Sequence, residues 1–98
     1  MSDINNGFKL SQHALRRLQQ RGIRNKEVIP FIIQHGSRVN SHGDNKSFIN
    51  KKRLNHLQIR GYKEFISKND KHIRSTVVVW KGNTIITVFK VKGRIRWN

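Results

Sequence analysis

His13, Arg17 and Arg21 stand at i, i+4 and i+8, so on an α-helix one imidazole and two guanidinium groups fall in a single stripe. Cleavage of RNA without a metal needs little more. The 2′-hydroxyl attacks its own phosphate, one group must exchange a proton near neutral pH, and cations must hold the charge on the pentavalent phosphorus. Imidazole is the side chain that titrates in that range, and the planar guanidinium matches phosphate oxygens. The same spacing on a very basic helix also describes a plain solvated face, so the stripe alone leaves both readings open.

Other chemistries find less support. The acidic residues Asp3, Glu27, Asp44, Glu64 and Asp70 are scattered, with no paired-carboxylate or metal-ligand spacing, and no two histidines stand four apart on one helix. Neither a G-x-x-x-x-G-K-[ST] loop nor a G-x-G-x-x-G run is present, and the absence of cysteine removes thiol catalysis and disulfides. No metal or other cofactor is expected.

The charge balance names a partner class. The 98 residues carry 21 Lys+Arg against 5 Asp+Glu, a net charge of +16 spread from Lys9 to Arg96. A folded surface with that excess favours a polyanion, nucleic acid first, because each neutralised phosphate releases counterions. No segment pairs a long apolar face with a basic one, so a membrane is not an expected partner. The opening residues hold no leader-type apolar run, and cytoplasmic residence is expected.

The stripe needs a helix to carry it. Ser11 is suited to cap a helix from Gln12 to Gln20, closed by Gly22, with Ala14, Leu15 and Leu18 as its apolar sector. A second helix, with Asn25 as candidate cap, carries Val28, Ile29, Ile32 and Ile33 up to Gly36, with Pro30 as an irregularity about one turn in. Arg38-Val39-Asn40 and Ser47-Phe48-Ile49 read as a hairpin around His42 to Asn45. Thr76 to Trp80 and Thr84 to Phe89 read as a second hairpin, and Arg94 to Trp97 as a further strand after Lys92-Gly93. Residues 51–70 show no clean period and read as either strand or short helix. Met1 to Gly7 reads as a loose lead-in. The expected architecture is one α+β domain, residues 1–98, with two N-terminal helices packed on one face of an antiparallel sheet of about four strands.

The run from Ser11 to Ile23 resembles the S-x-H-A-x-x-R-x-x-x-R-G-I opening of a family of small bacterial and phage proteins. That family is grouped with the barnase, EndoU, colicin and RelE-like (BECR) superfamily of ribonuclease toxins. Ile85-Ile86-Thr87-Val88-Phe89 resembles its closing strand. The resemblance implies a two-helix, four-strand fold and metal-independent endoribonuclease activity. Its site would be built from His13, Arg17, Arg21 and Thr87. Phe89, and the absence of a tyrosine nearby, depart from the pattern and leave a tyrosine-assisted role without a candidate there; Tyr62 lies in the unread segment.

Each site residue has a second use. Arg21 also suits a helix C-terminus, where a cation meets the negative dipole end. Thr87, expected on one strand face with Ile85 and Phe89, also suits plain packing. Arg16 falls on the opposite flank of the wheel from the stripe and, with Lys90, Arg94 and Arg96, is counted as nucleic-acid-binding or simply solvated. His42 is a loop candidate for a second proton carrier. Trp80, Trp97 and Phe89 suit the core or base stacking.

The resulting expectation is a toxin-like endoribonuclease acting on tRNA, mRNA or rRNA and answering to a cognate antitoxin or immunity protein. The alternatives are a non-catalytic basic RNA- or DNA-binding module and a phage or mobile-element protein that binds an acidic host partner. All three carry the same unscreened charge. The thermal midpoint should therefore rise by several degrees between about 20 and 300 mM salt, read by circular dichroism; a midpoint indifferent to salt contradicts the self-repulsion.

Overall fold

The computed structural model describes Ser2–Asp3 and residues 7–91. Strand β1 (Ser2–Asp3) pairs antiparallel with β2 (Lys9–Leu10), so two residues of the expected lead-in belong to the sheet. Helix α1 (Gln12–Gln20) begins where Ser11, in extended backbone, accepts a hydrogen bond from Ala14 N at 3.0 Å. It ends in a Schellman closure. Gly22 takes a φ of 69°, Gly22 N donates to Gln19 O, and Ile23 N donates to Leu18 O at 3.0 Å.

Helix α2 (Val28–His35) starts three residues after Asn25, which instead folds its side chain onto Glu27 N at 3.0 Å. The displacement resolves the proline: Pro30 becomes the third helical residue, where an N–H would have no intrahelical partner. Val28, Ile29, Phe31 and Ile32 are buried.

Strands β3 (Ser37–Ser41) and β4 (Asp44–Phe48) form the first hairpin through His42 and Gly43, both at positive φ (54° and 83°), as a tight two-residue turn requires. Residues 51–70 form two helical stretches separated by a kink at Gly61. Helix α3 (Lys51–Leu57), capped by Asn50, leads into a kinked turn (Gln58–Tyr62) in which Gly61 takes the non-helical φ of 106°, and α4 (Lys63–Ile73) starts afresh beyond it. That turn resets the helical phase, which explains why Leu54, Leu57, Ile66 and Ile73 face the core at no single period while Ile59 is left 85% exposed.

Strands β5 (Thr76–Lys81) and β6 (Thr84–Lys90) make the second hairpin. The sheet order is β1-β2-β6-β5-β4-β3, antiparallel throughout except that β2 lies parallel to β6. The fold is α+β. It differs from the expected pair of helices on about four antiparallel strands by a third helical stretch and by the short N-terminal strands on the outer side of β6. The expected turn at Lys92-Gly93 and strand Arg94 to Trp97 lie outside the described residues.

Leu10, Ala14, Leu18, Ile29, Ile32, Leu57, Ile66 and Ile73 pack with Val78, Ile85 and Val88 into one core between the helices and the sheet. Val77 and Phe48, joined by Phe89 and Val91, form a smaller group on the other face, as strand alternation demands.

Gly36 sits where α2 turns into β3, and a Cβ there would collide with the carbonyls of Phe48 and Ile32. Backbone atoms on both sides leave nothing flexible to yield. Gly36→Ala should cost about 2 kcal/mol or more of stability, read as a lower urea midpoint; an unchanged midpoint would refute the close approach.

Candidate nucleic-acid interface

Helix α1 is seated on β6 by hydrogen bonds to the strand's carbonyls. Ser11 N donates to Ile85 O at 3.1 Å, and the Ser11 hydroxyl donates to Ile86 O at 2.9 Å while accepting from Ala14 N. One residue thus caps the helix and fixes it to a strand 75 positions away. Further along, Arg17 Nε makes a long hydrogen bond to Val88 O at 3.5 Å. Ala14 and Leu18 are buried below, which leaves His13 exposed, Arg17 half-buried and Arg21 exposed along the same flank. Arg16 is exposed on the side of α1 turned away from the core.

Thr87 enters through an irregularity. Val79 pairs with Thr87 but Trp80 pairs with Ile85, so Ile86 is an extra residue in β6. The bulge breaks the alternation expected from sequence: Ile85 and Val88 both face the helices, and Thr87 shares its face with Phe89 but not with Ile85. Its hydroxyl nonetheless reaches Val88 O at 3.4 Å, the carbonyl that Arg17 also approaches. Arg17 thus approaches Val88 O from α1, whereas the Thr87 side chain lies on the Phe89 face of the sheet, turned away from the helix, and touches only the carbonyl of its own neighbour.

The far end of the stripe holds a group that sequence spacing did not single out as a set. Lys90, at the end of β6, places Nζ 2.9 Å from Nδ1 of His72 in the last turn of α4. Burial lowers the Lys90 pKa, and the charges of Lys71 and Arg21 lower it further. The His72 pKa is lowered by burial first, then by Lys90 and Lys71. An ammonium can only donate, so Nδ1 accepts and the ring proton is assigned to Nε2. His72 and Lys90 are 18 residues apart, so no local pattern announces their contact.

Several expected partners stand elsewhere. His42 occupies the β3–β4 turn, at the opposite edge of the sheet from α1, and does not join the row. Tyr62 packs on Phe31 and His35 at ring-centroid distances of 5.6 and 4.6 Å, taking its contacts from α2. His35 is held below its ordinary pKa by burial, then by Arg53 and Arg60; Arg53 Nε donates to its carbonyl at 2.7 Å. Trp80 is committed to packing, edge-on to Phe8 with Nε1 donating to Ser47 Oγ at 2.8 Å. Arg94, Arg96 and Trp97 lie outside the described residues.

Acidic groups do little to neutralise this surface. Glu64 pairs with Lys68 and Asp70 with Arg74, each within α4 or at its end. Among the described residues no three His, Cys, Asp or Glu side chains gather as a metal site requires, and no helix is long and apolar enough to cross a membrane. The chain matches no family model, no curated protein and no solved structure.

The two depressed histidines give the fold a pH signature. With folded pKa values below the unfolded value, the unfolded chain binds more protons once pH falls under about 6.5, so stability is lost from there downward through the folded values. The thermal midpoint should hold above pH 7 and decline below pH 6.5, and replacing both rings (His35→Gln with His72→Gln) should flatten that decline. Equal slopes in wild type and double variant would contradict it.

Proposed function

We propose that the chain is a metal-independent endoribonuclease of toxin type, a domain of the BECR kind, working in the cytoplasm. The reading rests on one observation: α1 presents His13, Arg17 and Arg21 along one flank beside β6, with Arg17 Nε reaching Val88 O. The opening motif and the net charge of +16 point the same way.

In this reading His13 accepts the 2′-hydroxyl proton as the 2′-oxygen bonds to phosphorus and the bond to the 5′-oxygen breaks. The leaving 5′-oxygen takes a proton from water, and the products are a 2′,3′-cyclic phosphate and a 5′-hydroxyl. Arg17, one turn from His13, neutralises the scissile phosphate as negative charge accumulates on it. Arg21 extends the positive field along the helix. Arg16, Lys90, Arg94 and Arg96 track the flanking backbone. A cognate antitoxin or immunity protein would have to cover this flank.

A second reading is a basic nucleic-acid-binding module without catalysis. One feature favours it: no described residue hydrogen-bonds the His13 ring, whereas catalytic imidazoles are commonly held in one orientation by a partner.

Purified protein should cut tRNA or mRNA in the presence of EDTA. His13→Ala should abolish cleavage, a loss of at least a hundredfold, while RNA binding survives. Cleavage that persists in the variant would remove His13 from its role. Binding without cutting in the wild type would give the module reading the field, and no binding at physiological salt would favour an acidic protein partner.

A further inference from the structure

We propose that Arg21, Lys71, His72 and Lys90 form a second phosphate subsite, which holds an RNA backbone phosphate neighbouring the one at His13. Its RNA assignment builds on the nucleic-acid reading of the same flank.

Three elements deliver the four groups: the C-terminal cap of α1, the last turn of α4 and the end of β6. Lys90 is half-buried against His72 at 2.9 Å, and the charges of Lys71 and Arg21 add to the burial that disfavours its charged form. Asp70, next in sequence to Lys71, is turned to Arg74 at 3.0 Å. The two helix C-termini offset part of the repulsion, since their carbonyl ends are negative. They do not account for a half-buried lysine arriving from a strand. Across the ladder from Lys90, Thr76 is fully buried and its Oγ1 has no hydrogen-bond partner among the described residues, so the polar ground beneath the cluster is incomplete as well. A phosphate would supply the missing negative charge and accept from the ammonium and guanidinium groups and from Nε2–H of His72.

Distance separates this subsite from the first. His13 and Arg21 lie about 12 Å apart along the axis of α1, at 1.5 Å per residue. The stripe serves at least two phosphates of a chain lying along β6, with Arg17 at one and Arg21 at the other.

The test uses the full chain and a short 2′-O-methyl RNA, which keeps the phosphates but lacks the attacking hydroxyl. Lys90→Met should weaken binding about tenfold and reduce the log–log salt slope by about 0.7, one phosphate contact on a single strand. Lys90→Arg should retain the slope, and Lys51→Met, an equal loss of charge from α3, should leave it unchanged. In the unmodified protein, the His72 imidazole resonances should shift when the RNA is added. A slope for Lys90→Met equal to that of Lys51→Met overturns the subsite, as does an unmoved His72 signal at saturating RNA, which decides the matter even if a variant fails to fold. A shift with inorganic phosphate, without a slope change with RNA, makes this a free-anion site and overturns the assignment to RNA. Wild-type protein that binds RNA without cutting it defeats the proposed catalysis and leaves the slope test standing; absence of any binding defeats both.

Discussion

The placement of α1 depends on the hydroxyl of Ser11. It accepts from Ala14 N, which starts the helix, and donates to Ile86 O, which fixes that start to β6. The carbonyl it uses belongs to the extra residue of a β-bulge, so the irregularity in the strand and the entry of the helix are one feature. Once the first turn is held there, Ala14 and Leu18 can only pack downward onto Ile85 and Val88, and His13, Arg17 and Arg21 can only emerge on the flank. A capping bond of ordinary strength, about 1 kcal/mol, thus selects the direction in which the charged stripe faces.

That stripe gathers positive charge to a degree the chain cannot balance internally. With 21 Lys+Arg and 5 Asp+Glu, most cations have no carboxylate to meet, and the α4 pairs Glu64–Lys68 and Asp70–Arg74 use up two of the five acids. Exposed pairs of this kind contribute little to stability, at most about 1 kcal/mol each. The cluster at Lys90 shows the consequence in the interior margin of the fold, where burial and neighbouring cations together depress the pKa of a lysine and of a histidine. Repulsion among these cations weakens as ionic strength rises, which ties stability to the same charges.

Much of the fold was legible because its signals are local. Ser11 before an apolar-periodic run, Gly22 after it, and the β-branched runs of β5 and β6 each report on a few neighbouring residues, and each element lies where those residues put it. Pro30 was legible as an irregularity, and the later start of α2 explains how it is accommodated. Residues 51–70 were not legible, because a kink at Gly61, at positive φ, shifts the helical phase midway and leaves Ile59 exposed to solvent. Periodicity detects one phase at a time.

The sequence by itself determined the excess of cations, the absence of thiol chemistry and the presence of His13, Arg17 and Arg21 in one helical stripe, since these follow from composition and from 3.6 residues per turn. Only the tertiary structure decided which face Thr87 takes, that Arg17 reaches Val88 O, and that Lys90 and His72 touch. Those outcomes depend on the register between β5 and β6 and on where the end of α4 comes to rest. Both are set by contacts between residues distant in the chain, which leave no mark on the residues beside them.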